Sequence, residues 1–406
     1  MATFTARQND TFELISRRMF GTAQETGNIR KANPSLTEPL TAGDVVVLPS
    51  KVSVSNQPAN VNQDDVTVLI NGIEYKYFVR AEFFSRFDSF DSCTITAPFE
   101  PDNLSFRKTF VPFSYADISV FIGSELIFTG TQMGLTPLVR PNSKIIILEA
   151  YARCAVINDS SLPVSSYPIE LRGLKLDRIA TEVCKPFPFS VSSDVDVGAT
   201  LQTASIKQAD KIYSFLTDLG KQRDIIVTND PNGNLLLTRT IDSKSVAHLR
   251  DDNSPVISVT PMHDNQNYFS DYTTIVPVML DGLPVATYTA KNKRLQNVLR
   301  VDNYEANDAF NGEERMIAES RRARGLANSI SYDVELATIR DPNGDLYKPN
   351  TYINLVAPTA MIYNDTKFFI RSVTMPLDGD KKTCTLDLVL PESFNGNDVE
   401  TFPWEE

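Results

Sequence analysis

Hydrophobic and polar positions change their spacing several times along the chain, and each change marks a new segment. The first segment, residues 1–51, begins with polar turn residues, and Asp10 is placed to cap a helix. Three apolar residues then fall at i, i+3 and i+7, on one helical face: Phe12, Ile15 and Met19. The predicted βααβ unit consists of Thr3–Ala6, Thr11–Met19, Gly27–Ala32 and Val45–Leu48.

Residues 52–65 are polar and lack periodic apolar positions, as is typical of a linker. Between residues 66 and 156, runs of β-forming residues alternate with turns. Asn71-Gly72 is the strongest short hairpin signal in the chain, and Ile122–Glu125 predicts a second turn. Five or six antiparallel strands at this spacing predict a small closed barrel.

Residues 157–254 change to a helical period. Amphipathic helices are predicted over Leu171–Cys184 and Ala209–Arg223, because apolar residues recur there on one face. A hairpin that turns at Asp230–Asn234 follows. This segment is predicted to be a compact α+β module.

Residues 255–394 return to strands, interrupted by one helix at about residues 311–329, and residues 395–406 form a C-terminal tail. The turn DPNG occurs at Asp230–Gly233 and again at Asp341–Gly344, an echo so short that turn chemistry alone explains it. The chain is therefore predicted to be mainly β, with an α+β module inserted between two β-rich parts.

Charge and cysteine content exclude several classes of protein. The 406 residues carry a formal net charge of −12, which opposes general phosphate binding. The four cysteines are far apart and form no CxxC pair, so buried free thiols are expected. The N-terminus shows no secretion signal, and no apolar run reaches the ~20 residues of a membrane helix. A soluble protein made in a host cytoplasm is expected.

The first segment resembles the LysM domain. The matching residues are Asn9-Asp10-Thr11, Ile15, Phe20-Gly21, Asn33, Gly43-Asp44 and Leu48-Pro49, although Asn9 replaces the usual glycine. The resemblance implies an N-acetylated glycan groove formed by Asn9, Asp10, Thr11, Asn33, Pro34 and Ser35. The alternative is that these residues only cap and end helices, since they are common turn formers.

The rest of the chain resembles the phage Mu-like baseplate hub family, also called late-control protein D. Three stretches carry the resemblance: LIFTG followed by IIILEAYARCAV, then KIYSFLTDLGKQRDIIVTNDPNGNLLLTR, then the closing RRARGLANSISYDVELATIRDPNGDLYKPNTYINLVAP and FFIRSVTMPLDGDKKTCTLDLVLPESF. Members of this family are components of contractile phage tails and related injection machines.

That resemblance implies a homotrimer in which each chain contributes two similar barrels. Six barrels would match a hexameric tail tube or tube-initiator protein, and the threefold face would seat a trimeric spike. Baseplate wedge proteins would be further partners. No specific nucleic-acid binding is expected, although DNA can pass through the bore, where Asp and Glu would be favoured.

No constellation of catalytic residues stands out, and no cofactor or metal site is expected. The two histidines, His248 and His263, belong to no metal-binding motif. The acidic pairs Asp251-Asp252 and Glu313-Glu314 are expected to be exposed, which disfavours acid–base catalysis. The sequence therefore predicts a protein that is not an enzyme.

Two features keep alternatives open. Four arginines share one helix with glutamates, so nucleic-acid binding competes with i,i+4 pairing or a contact between subunits: Arg315, Arg321, Arg322 and Arg324. The tail carries Phe402 and Trp404, which are typical anchor residues of a docking peptide, but a disordered end is equally expected.

Three functions are compared. A baseplate hub in the virion tail explains every segment. A LysM-mediated peptidoglycan-binding protein would usually have several LysM copies and a secretion signal, and this sequence shows one copy and no signal. A cell-wall hydrolase would need an acid–base pair, for which the sequence has no candidate.

Overall fold

The computed structural model describes the following residues: 3–5, 11–12, 15, 26–41, 44–47, 63–141, 143–201, 204–276, 286–295, 297–306, 313–378, 381–395 and 397–405. They divide into two compact units. Unit 1 contains Met1–Lys76 and Ala116–Ile127, and unit 2 contains Tyr77–Tyr115 and Phe128–Glu406. Residues 66–156, predicted to form one barrel, therefore contribute strands to both units.

The N-terminal part of unit 1 has the predicted strand pair. Strand β1 (Thr3–Thr5) is antiparallel to β2 (Val45–Val47), and helix α1 (Thr26–Ala32) begins one residue before its predicted start. Most of the predicted helix over Thr11–Met19 lies outside the described residues, but Phe12 and Ile15 are helical and buried. The small apolar core consists of Phe12, Ile15, Ile29, Leu40 and Val46.

Unit 1 also contains an antiparallel sheet in the order β7-β3-β4. The strands are β3 (Val66–Ile70), β4 (Ile73–Glu74) and β7 (Asp117–Ile122). The predicted hairpin turn is confirmed, because Asn71 and Gly72 both adopt the left-handed backbone (φ 52° and 76°) of a tight turn between twisted strands.

The large sheet of unit 2 runs in the order β14-β18-β22-β20-β5-β6-β9-β8, and β13 and β19 extend it from β20. The strands are β5 (Arg80–Arg86), β6 (Ser92–Pro98), β8 (Glu125–Arg140), β9 (Ser143–Ala152), β13 (Ala247–Arg250), β14 (Val256–His263), β18 (Ile330–Leu336), β19 (Tyr352–Ala357), β20 (Ile362–Asp378), β21 (Lys381–Lys382) and β22 (Cys384–Val389). The first residues of β8 belong to unit 1. Two separate closed barrels are not confirmed, because β5 pairs directly with β20.

Residues 157–254 contain the two predicted helices and the predicted hairpin. Helices α3 (Leu176–Cys184) and α4 (Ile212–Lys221) are both shorter than predicted. Helix α3 begins late because Leu174 forms a β-bridge with Leu201. The module's sheet has the order β10-β12-β11. Its strands are β10 (Val191–Ser193), β11 (Ile226–Asn229) and β12 (Leu235–Thr238), and the last two form the predicted hairpin.

A second, smaller sheet with the order β16-β15-β17 is inserted between β14 and β18. Its elements are β15 (Asp271–Val276), β16 (Ala286–Lys291), β17 (Val301–Glu305) and the helix α5 (Glu314–Ser329). The helix packs on the sheet through two small clusters: Tyr272 with Ala290 and Ala318, and Val276 with Ala306 and Ile317. The sequence places these strands in the second barrel, which is wrong, because they have a core of their own.

Two short helices complete unit 2: α2 (Leu104–Thr109) and α6 (Glu392–Asn395). The sequence does not predict α2. Asn103 caps it by accepting hydrogen bonds from the amides of Ser105 and Phe106. Four short 3-10 turns connect other elements: Arg153–Asn158, Val164–Ser166, Asn265–Asn267 and Pro358–Ala360.

Candidate assembly surface

The two β-rich parts of the sequence meet at a seam between β5 and β20. The strands are antiparallel, from Arg86 opposite Ser372 to Ala81 opposite Leu377. On β20 the apolar side chains Val373, Met375 and Leu377 are all buried at this seam. The seam is therefore a firm junction of strands that lie almost 300 positions apart in the sequence.

On either side of the seam, the strands repeat the same pairing order. One half has the order β5-β6-β9-β8 and the other has β14-β18-β22-β20, with every pair antiparallel. The last strand of each order, β8 or β20, also pairs along its first residues with the strand that precedes it in the chain, β7 or β19. Five strands therefore share one topology in both halves.

The repeat extends to single residues in the β8–β9 and β20–β22 hairpins. Each has a bulge of one residue, at Met133 in β8 and at Arg371 in β20. At the far end of the hairpins, Arg140 pairs with Ser143 and Asp378 pairs with Lys381. Asp378 follows Arg140 by 238 positions, which is also the distance in sequence between the two bulges. Such agreement in register indicates two copies of one sheet design.

The two bulges differ in chemistry. Arg371 is buried, its Nε donates to Asp387 Oδ2 (2.6 Å), and its Nη1 donates to the carbonyl of Ala327 (2.8 Å). Met133 at the equivalent position is 43% exposed. The arginine thus ties the second half to α5, a helix that the first half lacks.

One face of the large sheet is polar and carries carboxylates in matching rows. Glu82, Thr94 and Glu149 lie directly opposite one another on β5, β6 and β9. Asp333 and Asp387 hold the equivalent positions on β18 and β22. Burial raises the pKa of Asp333, and the neighbouring charge of Asp387 raises it further. In the first half Glu149 is exposed on this face, whereas in the second half Asp387 is largely buried and paired with Arg371.

The two DPNG turns have the same local geometry. Gly233 and Gly344 both have positive φ (76° and 91°), and each amide donates to the carbonyl of the aspartate three residues earlier. Their surroundings differ. A Cβ on Gly233 would overlap the carbonyl oxygen of Thr129 and lie 2.9 Å from the Cβ of Arg153, whereas a Cβ on Gly344 would meet nothing within 4 Å.

A buried carboxylate that the sequence does not single out joins the first half to the α+β module. Asn229 Nδ2 donates to Asp91 Oδ2 (2.9 Å), and the Asp91 amide donates to Asn229 Oδ1 (2.8 Å). Burial raises the pKa of Asp91 to about 6, an effect that the hydrogen bond from Asn229 partly offsets. No local sequence signal pairs two residues 138 positions apart.

The predicted glycan-groove residues are placed in part. Asn9 and Asp10 lie outside the described residues. Asn33 is buried and donates to the carbonyl of Ile29 (2.8 Å), while Pro34 and Ser35 are exposed and Thr11 is half-buried. The amide of Phe12 donates to Glu38 Oε1 (2.5 Å), so Glu38 accepts a hydrogen bond at the start of the helix for which Asp10 is the predicted cap.

The C-terminal tail is ordered against its own chain. Phe402 is buried and stacks on Trp404, whose ring also meets His263 edge-on at 5.0 Å between centroids. Arg294 holds the end through Glu405 (3.0 Å). These aromatic rings line a cavity of about 360 Å³, together with Tyr268, Leu295, Ile330 and Met361. The expected anchor residues therefore dock within the molecule.

The arginines of α5 are engaged in contacts within the chain. Arg315 forms the predicted i,i+4 pair with Glu319 (2.9 Å). The other three reach different parts of unit 2: Arg321 binds Asp302, Arg322 binds Asp398, and Arg324 lies over the ring of Phe394. These contacts favour a structural role for the helix over nucleic-acid binding.

The expected exposure of the acidic pairs is wrong for Glu313, whose side chain is largely buried against Arg223 (2.9 Å). Its partner there compensates the charge, which is why burial is tolerated. Asp252 is exposed and binds Arg250 (3.0 Å), and Asp251 accepts a hydrogen bond from the amide of Thr359 (3.2 Å). Neither acidic pair lines the cavity beside Phe402 and Trp404.

The cysteines and histidines form no metal site among the described residues. All four cysteines are free and buried, as predicted, and burial raises the pKa of Cys93 to about 12. His248 is exposed, and burial lowers the pKa of His263. Among the described residues, no group of His, Cys, Asp and Glu side chains could hold a metal ion. No helix in that part of the chain has the length and apolar character needed to cross a bilayer.

Comparison with known proteins places the chain among phage tail proteins by fold. Residues 154–239 match the family described as baseplate hub protein gp44-like, second domain. No curated protein matches the sequence of the chain. Among solved structures, the 43 kDa tail protein of prophage MuSo2 from Shewanella oneidensis is 19% identical, with a TM-score of 0.69 over 82% of this chain and 100% of that one.

Two further structures share the fold. The tail protein from Neisseria meningitidis MC58 is 16% identical, with a TM-score of 0.66 over 81% of this chain and 97% of that one. Prophage tail protein gp18 from Listeria monocytogenes EGD-e is 12% identical, with a TM-score of 0.51 over 80% and 94%. The chain thus has the fold of phage tail proteins, and its α+β module is similar to the second domain of gp44-like baseplate hub proteins.

Proposed function

We propose that this protein is the hub subunit of a contractile-tail baseplate, and that three copies form a ring between the tail tube and the central spike. The observation that carries the proposal is the repeated five-strand topology on one chain. Three chains then present six similar sheets, which a hexameric tube can meet with near-equivalent contacts. The likeness of residues 154–239 to a baseplate hub domain supports the same role.

The trimer is tested by the mass of the purified full-length chain in solution. Light scattering after size exclusion is expected to give three times 45.2 kDa, and negative-stain images are expected to show a ring with six similar lobes. A chain that stays monomeric at every concentration would contradict the proposal. So would a stable dimer, since two chains cannot present six sheets.

The acidic sheet face suits the wall of a bore through which DNA passes. Glu149 is exposed on that face, and its negative charge would keep phosphates from adhering. Glu149→Lys in the assembled protein is expected to retain DNA on a filter at low salt. The matched control is Glu182→Lys on α3, which makes the same charge change away from the sheet and should retain none. Equal retention by both variants would remove the bore assignment.

The N-terminal segment serves as an accessory LysM-like module at the rim of the hub. Its strand pair, α1 and small apolar core support the βααβ arrangement. Binding to peptidoglycan is tested by sedimentation of the full chain with purified cell walls. Ser35→Trp would block the exposed loop after α1, whereas Lys31→Trp on α1 is the control. Unchanged sedimentation of both variants would contradict glycan binding at this loop. If the parent chain does not sediment with the walls, a neighbouring baseplate protein is the expected ligand of the module.

A structural role fits the described residues better than a catalytic one. The hydrolase alternative needs a carboxylic acid and a carboxylate facing each other across a cleft. Asp91 is hydrogen-bonded to Asn229, Glu313 and Asp387 are paired with arginines, and Glu149 lies on the open sheet face. The tube, the spike and the wedge proteins are therefore assigned as the partners, in the tail of the virion.

A further inference from the structure

We propose that β14 of one copy pairs with the outer half of β8 of the next copy, in an antiparallel ladder that copies the seam between β5 and β20. The inference rests on the proposed trimer and names the interface that holds it together. Its occupant is a second copy of this chain. The argument comes from the repeat within the chain.

The first observation is that β14 is an uncovered edge strand. None of its eight residues is buried, and within the described residues it pairs only with β18. Ile257 and Met262 are each 52% exposed, and the strand contains no Asp, Glu, Lys or Arg. Monomeric proteins usually protect a long edge strand with charged residues. An uncharged edge strand that is exposed in the single chain therefore indicates a surface that another chain covers in the assembly.

The second observation is that β8 is uncovered over the segment that corresponds to the seam. Val139 is 60% exposed, whereas its equivalent on β20, Leu377, is 3% exposed. The difference has a direct cause, because β5 pairs with β20 at that point. In the part of the chain that the structure describes, β8 has only β9 and β7 as neighbours, and β7 lies at the other end of it.

The third observation is that the repeat supplies the missing partner. In the repeated order, β14 corresponds to β5, and β8 corresponds to β20. The pairing of β5 with β20 joins the first half of a chain to its second half. The equivalent contact joins the second half of one chain to the first half of another, so the same contact can continue around a ring.

The register follows from the two known ladders. Val259 on β14 takes the place of Ala81, because both lie opposite equivalent residues of the next strand, Val334 and Ile95. Since Ala81 lies opposite Leu377, Val259 is expected opposite Val139 of the neighbouring copy. The remaining pairs follow by counting along both strands: Thr260 with Leu138, Pro261 with Pro137, Met262 with Thr136 and His263 with Leu135.

The prolines are compatible with this register, just as Pro376 is accommodated opposite Glu82 at the seam. Proline has no amide hydrogen to donate to a neighbouring strand. With Pro261 opposite Pro137, neither strand presents an N–H at that pair that would lack an acceptor. A shift by one residue would place each proline opposite a residue with an N–H. It would also turn every side chain to the other sheet face.

The contact is heterologous, since an edge at one end of the strand order meets an edge at the other end. Contacts of this kind form closed rings when the rotation per subunit is right, and open filaments when it is not. The rotation between the two halves of one chain is set by the seam. If the contact between copies repeats that rotation, six halves from three chains close the ring.

The test is a disulfide between copies at the predicted pair. The full chain with Thr260→Cys and Leu138→Cys is oxidised gently, and non-reducing electrophoresis is expected to show linked dimers and trimers. Directly opposite side chains lie close enough to link. The matched control, Thr260→Cys with Val139→Cys, points the second thiol to the other sheet face and should link far less. The four native cysteines are buried and stay unchanged in both.

Two results would overturn the inference, and they are distinguishable from each other. A trimer by light scattering that shows no preferential linkage at residues 260 and 138 would contradict this interface while leaving the hub proposal intact. A chain that never associates would contradict both.

Amide hydrogen exchange of the unmodified chain gives a second measurement that needs no variant. Amides of β14 and of residues 134–140 are expected to exchange more slowly in the trimer than in the dilute monomer. Equal exchange in the two states would contradict the pairing.

Discussion

The two halves of the large sheet share five strands in one order, yet their connections differ. Between β5 and β6 the chain turns in five residues, Phe87–Asp91, whereas between β14 and β18 it inserts a second sheet and α5. The strand that precedes the repeat differs as well, since β3 is antiparallel to β7 but β13 is parallel to β19. The comparison indicates that the paired strands are the shared design, and the connections supply what distinguishes the halves.

The sharpest difference is at the bulges, where Arg371 replaces an exposed methionine. Arg371→Met would leave the largely buried carboxylate of Asp387 without its partner, and we expect the free energy of unfolding to fall by about 4 kcal/mol. Met133→Leu at the equivalent position should change it by less than about 0.5 kcal/mol. Urea denaturation of both variants measures this. Equal losses would mean that the two bulges are not held differently.

The next comparison is between β20, which β5 covers at the seam, and the equivalent strand β8. Leu377→Ala removes a side chain buried at the seam, and a loss of about 3 kcal/mol is expected. Val139→Ala, at the exposed equivalent position, should cost less than about 0.5 kcal/mol in the monomer. The measurement is urea denaturation at a concentration where the protein is monomeric. A large effect of the valine substitution there would show that β8 is already covered within one chain.

The two DPNG turns test how the α+β module is fastened to the first half. Gly233→Ala combines backbone strain with overlap against the carbonyl of Thr129, and should cost about 3 kcal/mol. Gly344→Ala meets open space and should cost only the strain, about 1 kcal/mol. Thermal unfolding of the matched pair checks the difference. Similar losses would place the two turns in similar surroundings.

The short turn of the first half carries a pH dependence that comes from Asp91. Because burial raises the pKa of Asp91 from 3.8 to about 6, the folded chain binds this proton more tightly than the unfolded chain does. Its contribution to the free energy of unfolding should therefore fall as pH rises from about 4 to about 6, by about 3 kcal/mol in total, and then stay level.

Asp91→Asn removes the titrating group while keeping a side chain that can hydrogen-bond to Asn229. The difference in unfolding free energy between the parent chain and this variant is expected to change across that pH window and to be constant above it. Urea denaturation at a series of pH values measures it. A difference independent of pH would mean that Asp91 titrates alike in the folded and unfolded chains.

Local features of the fold could be predicted from the sequence. Asn71-Gly72 forms the expected hairpin because both residues accept a left-handed backbone, and α3, α4 and α5 lie where the helical period occurs. The DPNG hairpin between β11 and β12 is confirmed for the same local reason. Each of these signals comes from a few neighbouring residues.

Long-range pairing could not be predicted in this way. The contact between β5 and β20 has no mark in either strand, and the equivalent bulges hold unlike residues, Met133 and Arg371. The strands β15, β16 and β17 have ordinary strand patterns, so nothing local shows that they form a sheet of their own. The bond between Asp91 and Asn229 likewise depends on tertiary packing.

The most direct test of the central claim is a reconstruction of the purified full-length assembly by electron cryo-microscopy. We predict a ring of three chains in which six five-strand sheets alternate, with Val259 of each chain opposite Val139 of the next. A ring in which the edges of β14 and β8 face solvent, or particles of a single chain, would contradict the account.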